Sequence, residues 1–225
     1  MKRIKQITKD GSYTLIDTEK KTGFHSIHGA VQESNHVFIN SGFEYCLQQF
    51  SDVQEIYILE AGFGTGLNAL LTVLKAKGLN KRIIYHTIEA FPLIKEEWEL
   101  PEFDKILKDS DAKTVYEMLH LSEWNKEKEI FPGFFFTKYH MSIEEFIPNE
   151  KYHLIYYDAF APSAQPELWT EKIFGKLSIA MVQHASLVTF CSKTSVRNAM
   201  KESGLVVTKL PGPPGKREIV RALKP

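Results

Sequence analysis

Two periods alternate along this chain. Short runs of β-branched and aromatic residues are separated by longer stretches in which apolar positions return with helical spacing. The runs predict strands over Ile56–Glu60, Ile83–Ile88, Phe134–Lys138, Leu154–Asp158, Ser186–Cys191, Leu205–Leu210 and Arg217–Ala222. The helical spacing predicts helices over Leu67–Lys77, Ile94–Leu119 with a break at Pro101, Ile143–Ile147, Pro166–His184 and Ser195–Ser203. Strands separated by helices imply βαβ crossovers, so the expected fold is α/β, a mostly parallel seven-stranded sheet covered on both faces. Only "PGPPG" (211–215) lies between the last two strands, which predicts a closing antiparallel C-terminal hairpin. Residues 1–50 read as a β-rich N-terminal extension with strands in "GSYTLID" and "HVFIN". Residues 91–132 read as a helical insertion carrying Trp98 and Trp124.

Composition narrows the class. A chain of 225 residues suits one substantial domain, here 1–225, and its 43% apolar and 25% charged content is that of a globular protein. No apolar run approaches the roughly 18–20 residues that span a bilayer, so no membrane association is expected. The N-terminus lacks the apolar core of a signal peptide. Cys46 and Cys191 are isolated, which points to a reduced cytoplasmic setting. The eight histidines form no ligand constellation, and no metal is expected. Net charge is zero, without the footprint a nucleic-acid partner usually leaves. From Lys193 onward, however, Lys193, Arg197, Lys201, Lys209, Lys216, Arg217, Arg221 and Lys224 are opposed only by Glu202 and Glu218. That stretch is either a solvated face and tail or a polyanion contact.

Candidate chemistry begins at "LEAGFGTGLN" (59–68). A strand ending in Glu60 turns through Gly62, Phe63, Gly64, Thr65 and Gly66 into a helix that starts with Leu67 and Asn68. Such a turn keeps side chains out of the crevice and offers unpaired N–H groups to a ligand. A second acid, Glu89, ends the next strand, where a carboxylate can hold both ribose hydroxyls of an adenosine. A dinucleotide fingerprint reads G-x-G-x-x-G, whereas these glycines read G-x-G-x-G behind an acid. An acid beside the turn suits a cationic methionine moiety better than a pyrophosphate, so S-adenosyl-L-methionine is favoured over NAD. Asp158 then closes the fourth main strand and emerges on the same rim, followed by the stiff aromatic segment Phe160-Ala-Pro162. A carboxylate there can orient an amine and take its proton, although a turn-capping role for Asp158 is also open.

Together "EAGFGTGLN", "IEAFPL", "DAFAPSAQPELWT", "GKREIV" and "FHSIHGAVQESNHVFI" resemble the methyltransferase part of the MnmC family. The resemblance implies a class I, Rossmann-like S-adenosylmethionine-dependent fold in which the N-terminal extension and the insertion act as lids. It implies N-methylation of the 5-aminomethyl group of a wobble (2-thio)uridine in the anticodon loop of tRNA. Glu60, Gly62, Phe63, Gly64, Thr65, Gly66 and Asn68 would then surround the methionine end of the cofactor, with Glu89 on the ribose. Asp158 would be catalytic. Phe160, Pro162 and Trp169 would shape the base pocket, and Lys216, Arg217 and Glu218 would contact the nucleotide. The family's usual acid near the adenine is replaced by Met141 and Ser142, leaving Ser142 as the candidate contact. Many relatives carry a fused flavin-dependent oxidase; a chain ending at Pro225 is expected to lack it, and a monomer is favoured. The rival expectations are a methyltransferase or aminopropyltransferase acting on a small amine, and a non-catalytic S-adenosylmethionine- or tRNA-binding module.

Overall fold

The computed structural model of the chain describes residues 3–19, 22–99 and 103–225; the expected helix break at Pro101 lies outside them. Strands β1 (Arg3–Ile7), β2 (Tyr13–Asp17) and β3 (Thr22–Gly23) form a small antiparallel sheet. A continuous helix over 30–49 follows, made of α1 (Ala30–Ser34), a π-helical stretch (Asn35–Glu44) and α2 (Tyr45–Gln49).

The chain then enters the main sheet. Its strands are β4 (Glu55–Ala61), β5 (Arg82–Glu89), β6 (Lys128–Phe131), β7 (Phe134–His140), β8 (Tyr152–Tyr157), β9 (Met181–Thr189), β10 (Val206–Pro211) and β11 (Glu218–Leu223). Their order is β10-β11-β9-β8-β4-β5-β7-β6. The five inner strands β9, β8, β4, β5 and β7 are parallel, and antiparallel hairpins close both edges. The helices are α3 (Leu67–Ala76), α4 (Lys95–Trp98), α5 (Phe103–Leu107), α6 (Ala112–Leu121), α7 (Glu171–Ala180) and α8 (Thr194–Glu202).

Strand alternation divides the interior into two cores. Ile56 and Ile58 of β4 pack with Tyr85, Phe136 and Tyr156 against the 30–49 helix and α3. Leu59 and Ala61 face Ile155, Tyr157 and Leu187 on the other side, where α7 and α8 contribute Phe174, Leu177, Val196 and Met200. Both faces of the inner strands are thus covered, and their near-continuous apolar runs follow from that.

Four expectations need correction. The sheet has eight strands, because β6 pairs with β7 inside the stretch expected to be a helical insertion. "HVFIN" is helical: consecutive burial of Val37, Phe38 and Ile39 looks like a strand, yet the segment seats on the sheet. Gly42 permits that approach, since a Cβ there would lie 2.9 Å from Val188 Cγ2 and 3.0 Å from Tyr156 Cε1. Residues 143–145 form a turn and 146–147 are irregular, the segment being too short before Pro148 to nucleate a helix. The helix expected over Pro166–His184 is shorter. A 3-10 turn (Pro166–Leu168) precedes α7, Thr170 Oγ1 accepts from Ile173 N–H at 3.5 Å, and pairing of Met181 with Tyr152 starts β9 early.

Candidate active site

Parallel strands leave their carboxyl ends on one rim, and β4, β5 and β8 bring Glu60, Glu89 and Asp158 to it. Strand order reverses between β5-β4 and β8, so a crevice opens beside β4 where ligands of open α/β sheets bind. The crevice deepens into a cleft of about 380 Å³. Gly62, Gly64, Thr65, Glu89, Ser142, Asp158, Phe160 and Lys216 all contribute to its wall.

The glycine turn is shaped by positive backbone angles, with φ +97° at Gly62, +51° at Gly64 and +75° at Gly66. At Gly62 the demand is double, because a Cβ there would stand 2.6 Å from the Asp158 carbonyl oxygen. Gly62 N–H donates to Ile88 O at 3.0 Å, and Asp158 N–H donates to Ala61 O at 2.9 Å. Those bonds hold the turn and Asp158 side by side. Glu89 fixes the outer part of the turn: Oε2 accepts from Gly64 N–H at 2.9 Å and Oε1 from Phe91 N–H at 2.8 Å. Each carboxylate oxygen keeps a further lone pair for a ligand hydroxyl.

Thr65 is gripped from both sides. Its Oγ1 lies 2.8 Å from His25 Nε2, and its carbonyl lies 3.0 Å from His120 Nε2. Burial pushes His25 down to about 4 and His120 to about 3, so both imidazoles are neutral at physiological pH. His120 in turn stacks on Trp98 at 4.6 Å.

The acidic centre lies below the turn. Asn68, in the first turn of α3, bridges two carboxyls with Nδ2, reaching Glu60 Oε1 at 3.2 Å and Asp158 Oδ2 at 2.8 Å. Thr87 Oγ1 donates to Glu60 Oε2 at 2.7 Å. Glu60 is fully buried, and burial pushes it up to about 8, with the nearby Asp158 charge adding to the shift. Burial likewise raises Asp158 to about 7, against the lowering effect of the Asn68 bond. Two carboxyls that ionise reluctantly, Asp158 on the cleft wall and Glu60 buried behind it, favour the arrival of a positive charge, and Asn68 Oδ1 is itself buried without a partner. The donor set therefore fits a sulfonium with an ammonium and a ribose, as in S-adenosyl-L-methionine.

The remaining sequence-predicted residues divide. Phe160 lines the cleft and meets Phe24 edge-to-face at 4.9 Å. Trp169 is buried behind it, donating from Nε1 to Phe160 O at 2.8 Å, and Pro162 stands outside the lining. The Phe63 ring packs into the core against His120 and Phe136. Ser142 lines the cleft, its N–H and Oγ tied to Glu145. Of the basic loop, Lys216 reaches the cleft. Arg217 is exposed, and Glu218 pairs with Lys209 at 2.8 Å. Phe24, His25, Glu33 and Phe190 also wall the cleft. Sequence reasoning left His25 without a partner because its contact, Thr65, lies forty positions away.

Comparisons with known proteins agree with this geometry. Residues 117–225 match a family described as S-adenosyl-L-methionine-dependent methyltransferase. The chain is 30% identical, over 95% of its length, to the tRNA 5-methylaminomethyl-2-thiouridine biosynthesis bifunctional protein MnmC of Leptospira interrogans. It spans 34% of that relative, about a third of the longer protein. Among solved structures, MnmC2 from Aquifex aeolicus superposes with a TM-score of 0.80 at 25% identity, covering 99% of this chain and 70% of that one. Spermidine synthase from Thermotoga maritima (TM-score 0.53, 12% identity, 100% of this chain and 72% of that one) shares the fold alone. The chain thus resembles, over nearly its whole length, a third of MnmC and most of MnmC2, and its C-terminal half matches an S-adenosyl-L-methionine-dependent methyltransferase family.

Proposed function

We propose that this chain methylates the amine of 5-aminomethyl-(2-thio)uridine at the wobble position of tRNA, giving 5-methylaminomethyl-(2-thio)uridine. The observation that carries the reading is Asp158, seated against Gly62 and bridged through Asn68 to Glu60. It puts a proton acceptor next to the turn suited to the cofactor.

When bound, S-adenosyl-L-methionine supplies an electrophilic methyl group on a sulfonium. The chain's residues do the rest. The Glu60–Asn68–Asp158 group would favour the positive charge, Gly64 and Glu89 would hold the ribose side, and Asp158 would face the acceptor amine. Asp158 would orient the acceptor amine toward that methyl group and take up the proton the amine releases, passing it to water. With Asp158 near 7, its basic form is well populated at neutral pH, as proton removal requires. The acceptor half of the cleft offers Phe24, Phe160, Phe190 and Lys216. Those rings and the ammonium support a flat base, beside the cleft acids Glu33 and Asp158.

The test is methyl transfer from labelled S-adenosyl-L-methionine to tRNA bearing 5-aminomethyl-(2-thio)uridine, with fully modified tRNA and putrescine as controls. Label is expected in the first alone, recovered in the methylaminomethyl nucleoside; equal label in all three, or in none, defeats the proposal. The exposed Arg217 would serve as a phosphate contact, so tRNA affinity should fall linearly with log salt. A flat titration counts against that role.

A further inference from the structure

The basic loop between β10 and β11 is docked onto the N-terminal extension at three points. His36 Nε2 lies 2.8 Å from Pro211 O, joining the π-helical stretch to the end of β10. Gly215, at φ +90°, lies so close to the His28 imidazole that a Cβ would come within 2.5 Å of Cδ2. Between them the Lys216 ammonium ion-pairs with the Glu33 carboxylate of α1. Glu33 is 7% exposed, and its other oxygen accepts from Ser26 N–H at 2.8 Å, next to the cleft-lining His25. Lys216 also stands over the Phe190 ring at 4.1 Å, on the wall of the cleft that holds Asp158.

A lysine on this wall has two carboxylates within reach of its influence. Paired with Asp158 it would neutralise the group that must receive a proton. Paired with Glu33 it leaves Asp158 to the acceptor and keeps an ammonium over Phe190, where a pyrimidine carbonyl or thiocarbonyl can accept from it. We infer that Glu33 is a positioning residue, which tethers Lys216 to the base-binding wall of the cleft and away from Asp158. This inference rests on the aminomethyluridine reading and assigns the selection of the base to the Lys216–Glu33 pair. Five groups face Asp158: Glu60 of β4, Asn68 of α3, Tyr85 of β5, Glu33 of α1 and Lys216 of the loop. Among the described residues, Glu33 and Lys216 are the two of these that come from outside the sheet and α3. Among the four titratable members, Glu33 raises Asp158 and Lys216 lowers it.

The experiment compares the full chain with Glu33→Gln, Lys216→Met and the double variant. Gln keeps an oxygen for the Ser26 N–H, so Glu33→Gln removes the charge while retaining the backbone contact. Two readouts are taken: kcat against pH on aminomethyl-bearing tRNA, and the carboxyl carbon NMR titration of Asp158 in the ligand-free chain. Glu33→Gln should lower kcat between about 10- and 100-fold, as expected for a misplaced group. It should also move the rise of kcat and the Asp158 midpoint to lower pH. Lys216→Met should raise KM and move both to higher pH. The double variant should match Lys216→Met in kcat and KM, because without the ammonium the tether has nothing to hold, while its Asp158 midpoint falls below that of Lys216→Met because the Glu33 charge is also gone. An Asp158 midpoint unmoved by Glu33→Gln overturns the inference, as do additive losses of kcat in the double variant. Failure of the unaltered chain to methylate would overturn the functional reading instead, and the NMR titration would still decide the role of Glu33.

Discussion

Asp158 is bound on three sides: its N–H by Ala61, its Oδ2 by Asn68, and its carbonyl by close packing on Gly62. Removing the carboxyl while keeping the backbone therefore tests chemistry more than folding. Asp158→Ala should retain S-adenosylhomocysteine affinity by calorimetry and lose about 10²–10⁴-fold in single-turnover methylation. Undiminished single-turnover methylation would move the proton to another acceptor. The place of Asp158 was legible because an acid ending an apolar strand must emerge at the rim. Asn68 was legible at the start of the helix behind the glycine turn, but its bridge between two carboxyls depends on β4 and β8 being adjacent, which no local spacing states.

The β4–turn–α3 unit shows how tightly backbone and site are coupled. Gly62 sits at φ +97° with its missing Cβ aimed at backbone of the β8 exit, so no side-chain movement can make room. Gly62→Ala should cost on the order of 1–3 kcal/mol of stability in denaturant unfolding and weaken S-adenosylhomocysteine binding. A variant of unchanged stability and affinity would show that the turn relaxes freely. The glycine turn, both acidic strand ends and the C-terminal hairpin were readable from period and punctuation alone. The 30–49 helix was not: buried residues on three consecutive positions suit a strand, and the wide π-helical stretch on the sheet accommodates them equally well. Strand β6 was hidden for a related reason, since its four residues leave Lys128 and Glu129 exposed and carry little apolar signal.

For the molecule as a whole, acidic burial shapes stability. Glu60 keeps its proton to about pH 8 in the folded chain against an ordinary value of 4.5. Between those values the folded state binds more protons than the unfolded one, so stability falls as pH rises. That contribution is complete below the unfolded value and lost as pH passes the folded one. The ligand-free chain should therefore melt at progressively lower temperature from about pH 5 to 8. Glu60→Gln should flatten the dependence. A melting temperature that climbs over this window in the unaltered chain would contradict the buried-acid account. Two appended regions complete the molecule, and neither cleft contact they make was predictable from proximity along the chain: His25 arrives from the N-terminal sheet and His120 from α6.

Those two imidazoles meet on a single residue, Thr65. Parting residues 22–26 from the cleft breaks the bond from His25 to the turn, so the mouth cannot widen while the turn stays fully braced. Ligand entry and turn loosening thus draw on the same free energy. Transplanting residues 59–68 into another parallel sheet would carry over the glycines and acids but leave behind the stiffness that His25 and His120 lend them.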